Sequence, residues 1–202
     1  IPLESDESIS AMLAIKNFDE DSYLFLTTRN GMVNRISLSS FKKVRNSGLK
    51  AILLKDNDYL FNALHTSGKD KIILSSTSGK SIMFIESQIR ERSRGTQGVT
   101  GIKLPKGSKI ISSLNVQYDN VIFVTENGFG NKISVDSYNE QNRGGQGVIS
   151  IKTSNRNGLV VGAANVENND YIILITNKGK TIKISASDMK TINRNTQGVR
   201  LQ

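Results

Sequence analysis

The chain of 202 residues is 37% hydrophobic and carries a net charge of +9, from 27 Lys and Arg against 18 Asp and Glu. A positive balance of this size favours polyanionic partners such as nucleic acid. The sequence contains no Cys, which excludes disulfides, thiolate metal sites and thiol redox chemistry. Its apolar runs are far shorter than the roughly 20 residues that a membrane helix needs, and we expect a soluble chain.

A hairpin pattern recurs four times along the chain. The first apolar string, residues 23–28, is followed by a turn glycine at Gly31 and by an apolar position five residues later. The same pattern returns around Gly79, Gly128 and Gly179, at spacings of 48, 49 and 51 residues. A strand, a tight glycine turn and a second strand predict a β-hairpin.

Two further elements keep the phase of the hairpins. An apolar string before each hairpin predicts another strand, at residues 9–15, 59–65, 110–116 and 159–166. A second glycine series follows the hairpins, at Gly48, Gly98, Gly147 and Gly198. About four strands per repeat, without helical periodicity, predict an all-β, propeller-like fold of about four four-stranded blades. An ordinary β-sandwich with coincidental turns is the alternative fold.

The charges follow the repeats. The stretches that come after the first glycine series, residues 35–55, 80–109, 129–156 and 178–202, hold 23 of the 27 basic residues and 5 of the 18 acidic ones. Stacked repeats place equivalent residues at equivalent positions, so this periodicity predicts a basic edge that could follow a duplex. Scattered surface Lys and Arg that serve only solubility are the alternative interpretation.

One arginine recurs in the loop before the second glycine series, at Arg45, Arg94, Arg143 and Arg194. Its planar fork of donors suits phosphate oxygens, and Gly-rich backbone beside it could donate N–H groups to the same phosphates. A second basic series, four residues after the first glycine, consists of Arg35, Lys132 and Lys183, with Met83 as the exception. The remaining predicted DNA contacts are Lys42, Lys43, Arg92, Lys103, Gln141, Gly144, Gly145 and Lys152. Aromatic residues are 6% of the chain and are not interleaved with the basic loops, which favours duplex backbone contact over stacking on single-stranded bases.

The sequence offers no catalytic constellation. The sole histidine, His65, stands in an apolar strand string, where we expect a structural role, and no second His or Cys supports a triad or a zinc site. The turns at Gly79 and Gly179 are followed by Lys and by Ser or Thr, as at the end of a phosphate-binding loop, but the required earlier glycine is Leu74 or Leu174. We therefore predict a non-enzymatic chain with no cofactor and no metal.

The strings TQGVTGIKL, RGGQGVISIKTSNRNGLVVGA, TENGFGNKISV and INRNTQGVRLQ resemble the β-pinwheel C-terminal domains of DNA gyrase A and its topoisomerase IV counterpart. The resemblance implies a ring or spiral of four-stranded blades whose basic rim wraps duplex DNA and sets the sign of strand passage in supercoiling. It also implies that the catalytic Tyr of the ATP-hydrolysing topoisomerase lies outside this chain. The partners would be duplex DNA, the catalytic domain of the parent gyrase A protein and, through it, gyrase B, in the cytoplasm at the nucleoid.

Two features depart from that family. The family's gyrase domain typically has six blades, and this chain has four repeats, at about 1–50, 51–100, 101–150 and 151–202, which we expect to form a single domain of a longer protein. The segment QNRGGQG at 141–147 keeps only part of the gyrase A box, because Asn142 and Gln146 replace basic residues. The host enzyme could therefore be topoisomerase IV, and a propeller-like protein-interaction scaffold is the rival function.

Overall fold

The computed structural model describes residues 3–43 and 48–201. In these ranges the chain is all-β, as predicted, with strands β1 (Tyr23–Thr28), β2 (Met32–Ser37), β3 (Ile52–Leu53), β4 (Leu60–Thr66), β5 (Lys71–Ser76), β6 (Lys80–Ile85), β7 (Thr96–Gln97), β8 (Val99–Thr100), β9 (Ile110–Asn115), β10 (Asn120–Thr125), β11 (Phe129–Ser134), β12 (Val148–Ile149), β13 (Val160–Val166), β14 (Tyr171–Ile175), β15 (Thr181–Ser185) and β16 (Val199–Arg200). A short 3-10 turn follows each hairpin, at Leu38–Phe41, Glu86–Gln88, Val135–Ser137 and Ala186–Asp188. No helix in the described ranges has the length and hydrophobicity to cross a membrane.

The four predicted hairpins are present as β1–β2, β5–β6, β10–β11 and β14–β15. Each hairpin turns at a glycine with φ between 76° and 84°, at Gly31, Gly79, Gly128 and Gly179. A side chain at positive φ crowds the following carbonyl group, and glycine, which lacks one, adopts this conformation without that cost. The spacing of the first glycine series is therefore the spacing of the hairpin turns.

Each of the first three hairpins is completed by strands of the following repeat. On one side β4, β9 and β13 pair antiparallel with β1, β5 and β10, and they contact one another in sequence. We call β4, β9 and β13 the axis strands. On the opposite side the short strands β8, β12 and β16 pair with β2, β6 and β11. Three four-stranded sheets result, which we number blades 1, 2 and 3 in chain order.

The sequence interpretation counted about four strands per repeat, and the structure divides the strands of a repeat between two successive blades. The strings at 59–65, 110–116 and 159–166 do form strands, but each completes the sheet of the preceding repeat. The string at 9–15 forms no strand, since no hairpin precedes it among the described residues, and its Ala11 and Leu13 pack on the apolar cluster of blade 1. The fourth hairpin is two-stranded in the described part of the chain.

The core lies between neighbouring blades. Phe25 of β1 packs with Ile72 and Phe84 of blade 2, and none of the three has exposed surface. Ile73, the next residue along β5, belongs instead to the cluster that blade 2 shares with blade 3, together with Phe123. Successive side chains of a strand point to opposite faces, so β5 is buried on both sides. Blade 2 is thereby fixed between its two neighbours.

Candidate nucleic-acid interface

The loops that precede the second glycine series lie along the second strand of the preceding hairpin. The backbone N–H of Arg92 donates to the carbonyl of Arg35 at 2.9 Å, and Gln141 donates to Met83 at the same distance. In the last repeat Ile192 donates to Lys132, also at 2.9 Å. Each loop continues into β8, β12 or β16, at the sheet edge opposite the axis strands. We call these three segments, residues 90–100, 139–149 and 190–200, the outer rim.

Three members of the recurring arginine series lie on the outer rim, and each touches the preceding repeat. The guanidinium of Arg94 lies 5.9 Å from the ring centroid of Phe41, and that of Arg194 lies 5.4 Å from the ring centroid of Tyr138. Arg143 differs from both, because its Nε donates to the Gln88 carbonyl and its Nη1 to the Thr100 carbonyl, each at 3.2 Å. The fourth member, Arg45, lies outside the described residues.

The loop that resembles the gyrase A box is held by backbone contacts. The N–H of Gly144 donates to the Gly101 carbonyl at 2.6 Å, and the N–H of Lys103 donates to the Gly145 carbonyl at 2.8 Å. A Cβ at Gly147 would come within 2.5 Å of the Ser81 carbonyl oxygen. The expectation that the Gly144 N–H serves a phosphate is therefore corrected, since the protein itself occupies that donor. The glycines here allow the loop to approach blades 1 and 2 closely.

Four of the predicted lysine contacts are exposed. Lys42 and Lys43 follow the first 3-10 turn directly, and Lys103 and Lys152 lie beside the loop of the next repeat. The Lys152 N–H donates to the Thr196 carbonyl at 2.7 Å, in the same way that Lys103 contacts Gly145. Arg92, which is partly buried, also lies on the outer rim. Lys103 and Lys152 therefore add positive charge at equivalent places beside two successive loops.

The members of the second basic series, Arg35, Lys132 and Lys183, lie in different surroundings: Lys132 is buried, Arg35 is partly buried and Lys183 is exposed. Lys132 is 4% exposed, and its Nζ donates to the Ala186 carbonyl at 2.7 Å and to Asn168 Oδ1 at 3.2 Å. The predicted DNA contact at Lys132 is not supported, because the side chain is buried and its ammonium group already has two protein acceptors. Arg35 lies 4.5 Å above the Tyr23 ring and donates to the Gly68 carbonyl, and Lys183 lies 3.8 Å above the Tyr171 ring.

Tyr138 is joined to blade 2 by a chain of buried hydroxyl groups. Its OH donates to Ser150 Oγ at 2.7 Å, and Ser150 Oγ donates to Ser81 Oγ at 2.9 Å. Burial raises the pKa of Tyr138 to about 12, against the opposing effects of the Ser150 hydrogen bond, the Arg194 charge and Ser81. The phenol is therefore neutral at physiological pH, and its ring offers a fixed apolar face to Arg194.

The sequence interpretation missed the aromatic partners of the arginines. It found no interleaving of aromatic and basic residues, because Phe41 and Arg94 stand in successive repeats rather than side by side. The signal was present in the repeat alignment: Phe41 and Tyr138 occupy the same position, just after the second strand of their hairpins, and Ile89 occupies it in the repeat between them. His65, for which we predicted a structural role, lies on axis strand β4 with its side chain exposed.

The sequence matches the family model described as "DNA gyrase C-terminal domain, beta-propeller" over residues 22–67, 70–117, 119–167 and 170–202. The chain is 41% identical over 200 residues to DNA gyrase A of Escherichia coli (strain K12), covering 98% of the chain and 23% of the relative. It is 37% identical over 198 residues to DNA gyrase A of Chlamydia pneumoniae, covering 96% and 24%. The chain thus spans about a quarter of the length of these curated relatives.

Two solved structures share the fold. The DNA gyrase A C-terminal domain superposes with a TM-score of 0.87 at 30% identity, over 99% of this chain and 68% of that one. The C-terminal domain of DNA topoisomerase IV superposes with a TM-score of 0.91 at 26% identity, over 100% and 64%. This chain, in which successive repeats exchange strands, therefore has the same overall fold as both domains.

Proposed function

The chain belongs to the DNA gyrase C-terminal domain family, and from this premise we propose that it binds duplex DNA along its outer rim, mainly through the phosphate backbone. The observation that supports the proposal most is the placement of Arg94, Lys103, Arg143, Lys152 and Arg194 on or directly beside the outer rim. These residues come from three successive repeats, so the positive charge is spread along one edge of the array. Phosphates along a duplex can be contacted by such an edge without any reading of base sequence.

The proposed consequence of binding is bending. The axis strands contact one another, so the three blades fan out around them and the outer rim follows a curve. A duplex that touches the outer rim at successive blades must bend, and smooth bending of a site of 20–30 base pairs by 40–90° costs on the order of 1–6 kcal/mol. Contacts between basic side chains and phosphates at several blades offset this bending free energy.

We propose that the chain is a non-catalytic domain of a type II topoisomerase, with the catalytic Tyr and ATP hydrolysis located elsewhere in that enzyme. Its four repeats form one β-pinwheel domain that presents wrapped DNA to the catalytic part of the parent gyrase A protein, and gyrase B takes part through that protein. The wrap gives strand passage a preferred sign. Gyrase is favoured over topoisomerase IV as the host enzyme, because the curated relatives at 41% and 37% identity are gyrase proteins.

The test compares two variants that remove the same charge. The rim variant carries Arg94→Ala, Lys103→Ala, Lys152→Ala and Arg194→Ala. The control carries Lys16→Ala, Arg29→Ala, Lys69→Ala and Lys71→Ala, all at exposed positions away from the outer rim. Fluorescence anisotropy with random-sequence duplexes, at several salt concentrations, should show that the rim variant lowers the salt slope by roughly three to four units.

The control should keep most of the slope of the unaltered chain, and thermal melts should show that both variants are folded. Affinity should change little between duplexes of different sequence, because phosphates carry no sequence information directly. Equal losses in the two variants would mean that net charge alone explains binding, and the outer rim would then not be the site. A flat salt dependence of the unaltered chain would overturn the proposal of phosphate binding itself.

A further inference from the structure

A recess on the outer rim occurs at two equivalent places. The first recess, of about 380 Å³, is lined by Ser40 and by residues 91–94. The second, of about 480 Å³, is lined by Ser137, by residues 148–149 and by residues 193–195. Ser40 and Ser137 occupy the same position in repeats 1 and 3, directly before Phe41 and Tyr138. The two recesses are therefore repeats of one structure, two blades apart.

In each recess an arginine guanidinium lies above an aromatic ring, Arg94 above Phe41 and Arg194 above Tyr138. Arg92 also lines the first recess. A cation above a ring face is attracted by the quadrupole of the ring, which restrains the side chain without using its hydrogen-bond donors. Among the described residues, the planar fork of N–H groups has no protein acceptor and can bind two oxygens of one phosphate. Ser40 and Ser137 line the same recesses, and the Ser137 hydroxyl donates to the Ser134 carbonyl at 2.7 Å.

The equivalent place in blade 2 is filled by the protein. Gln88 stands where Ser40 and Ser137 stand in the other blades. Its Oε1 accepts a hydrogen bond from the Arg143 N–H at 2.9 Å, and its Nε2 donates to the Gln141 carbonyl at 3.2 Å. The Arg143 guanidinium donates to the carbonyls of Gln88 and Thr100. Two of the guanidinium nitrogens of Arg143, Nε and Nη1, thus donate within the protein rather than toward a recess.

We infer that the recesses at Arg94 and Arg194 each bind one backbone phosphate of duplex DNA, whereas Arg143 positions its loop and binds none. The inference rests on the proposed function and refines it, because the recurring arginines do not act alike. Contacts two blades apart leave the middle of the bound duplex free to bend over blade 2. The first recess is also lined by Glu91, whose charge opposes a phosphate. The equivalent residue in the last repeat is the uncharged Thr191, three residues before Arg194.

The test measures salt slopes of duplex binding for single variants of the full chain. Arg94→Ala and Arg194→Ala should each lower the slope by roughly one unit and weaken binding on the order of 5- to 10-fold at 0.1 M salt. Arg143→Ala should leave the slope unchanged within about 0.3 units but should lower the melting temperature, since two carbonyl contacts are lost. Arg29→Ala, at an exposed turn of blade 1, is the matched control for the loss of one charge.

If Arg143→Ala does not fold, Arg143→Gln removes the same charge while it keeps an amide donor, and the same slope is expected. Glu91→Gln should tighten binding about two- to threefold by removing the opposing charge. Equal slope losses for Arg94, Arg143 and Arg194, or none beyond that of Arg29→Ala, would overturn the inference while DNA binding by the outer rim stood. Failure of the unaltered chain to bind duplexes would instead refute the proposed function.

Discussion

At the scale of single residues, the structure separates arginines and lysines that the sequence presents as equivalent. Arg94 and Arg194 make equivalent contacts on the outer rim, because a repeat puts equivalent residues at equivalent positions. The burial of Lys132 could not be predicted in this way. Its acceptors, Ala186 and Asn168, belong to the next repeat, 54 and 36 residues away, and no local pattern marks them.

Tyr138 supplies a prediction about pH. Its pKa is raised by burial to about 12 from 10.0, so the phenol is neutral in both the folded and the unfolded chain below pH 10. Above pH 10 the unfolded chain releases this proton first, and the free energy of unfolding falls as the pH rises toward 12. The loss from this residue should reach roughly 1.4 kcal/mol by pH 11. Urea unfolding of the unaltered chain and of Tyr138→Phe, at pH 8 and pH 11, measures it.

Tyr138→Phe should be less stable at pH 8 by about 1 kcal/mol, because the hydrogen bond to Ser150 is lost. Its further loss between pH 8 and pH 11 should be smaller than that of the unaltered chain by about 1.4 kcal/mol. Tyr59→Phe removes an exposed phenol and is the control. Identical pH dependence in the Tyr138 variant and the unaltered chain would show that Tyr138 does not keep its proton in the folded state.

At the scale of the element, the hairpins were predictable and their partners were not. A glycine between two apolar strings specifies a hairpin locally, and all four appear where the sequence places them. The pairing of β4 with β1, or of β9 with β5, joins strands of different repeats. The sequence does not predict it, because an apolar string can pair with the edge of its own hairpin as well as with that of the preceding one. Only the three-dimensional arrangement distinguishes the two pairings.

Gly79 and Gly179 make a matched pair for testing how the hairpin turns contact the next repeat. Both have positive φ, at 76° and 79°. A Cβ on Gly79 would overlap the carbonyl oxygen of Ile151, whereas a Cβ on Gly179 would have no atom of the described residues within 4 Å. Gly179→Ala should therefore cost only the left-handed backbone strain, about 1–2 kcal/mol. Gly79→Ala should cost about 3 kcal/mol or more, because the backbone of the next repeat must move.

Equilibrium urea unfolding of the two glycine variants checks this difference. Gly128 also has positive φ, and in the described ranges no atom lies within 4 Å of a Cβ added there, so Gly128→Ala should behave like Gly179→Ala. Equal destabilisation of all three would mean that backbone strain dominates and that the close approach of Ile151 contributes little. The comparison thus isolates the contact between repeats from the turn geometry that all the hairpins share.

At the scale of the whole molecule, the exchange of strands couples the stability of successive repeats. Unfolding of repeat 2 removes β4 and β8 from blade 1, and unfolding of repeat 3 removes β9 and β12 from blade 2. Blades 1 to 3 should therefore open together, unlike an array in which each repeat contributes only a face to its neighbour. Such coupling is what the proposed function needs, because in that proposal the outer rim keeps its curvature against a bent duplex.

Hydrogen exchange followed by mass spectrometry tests this coupling, because amides in cooperative units exchange with similar opening free energies. The strands β5, β6, β10 and β11 should share one high level of protection. The hairpin β14–β15 should exchange faster, since it is two-stranded and Tyr171, Ile173 and Ile175 are 61–70% exposed. A two-stranded hairpin is marginally stable in water, so its residual protection must come from packing on blade 3.

Lys132→Met, which removes the hydrogen bond to Ala186 just after β15, should lower that residual protection and leave blades 1 and 2 unchanged. A stepwise decrease in protection from blade to blade would instead show that the repeats unfold independently despite their shared sheets.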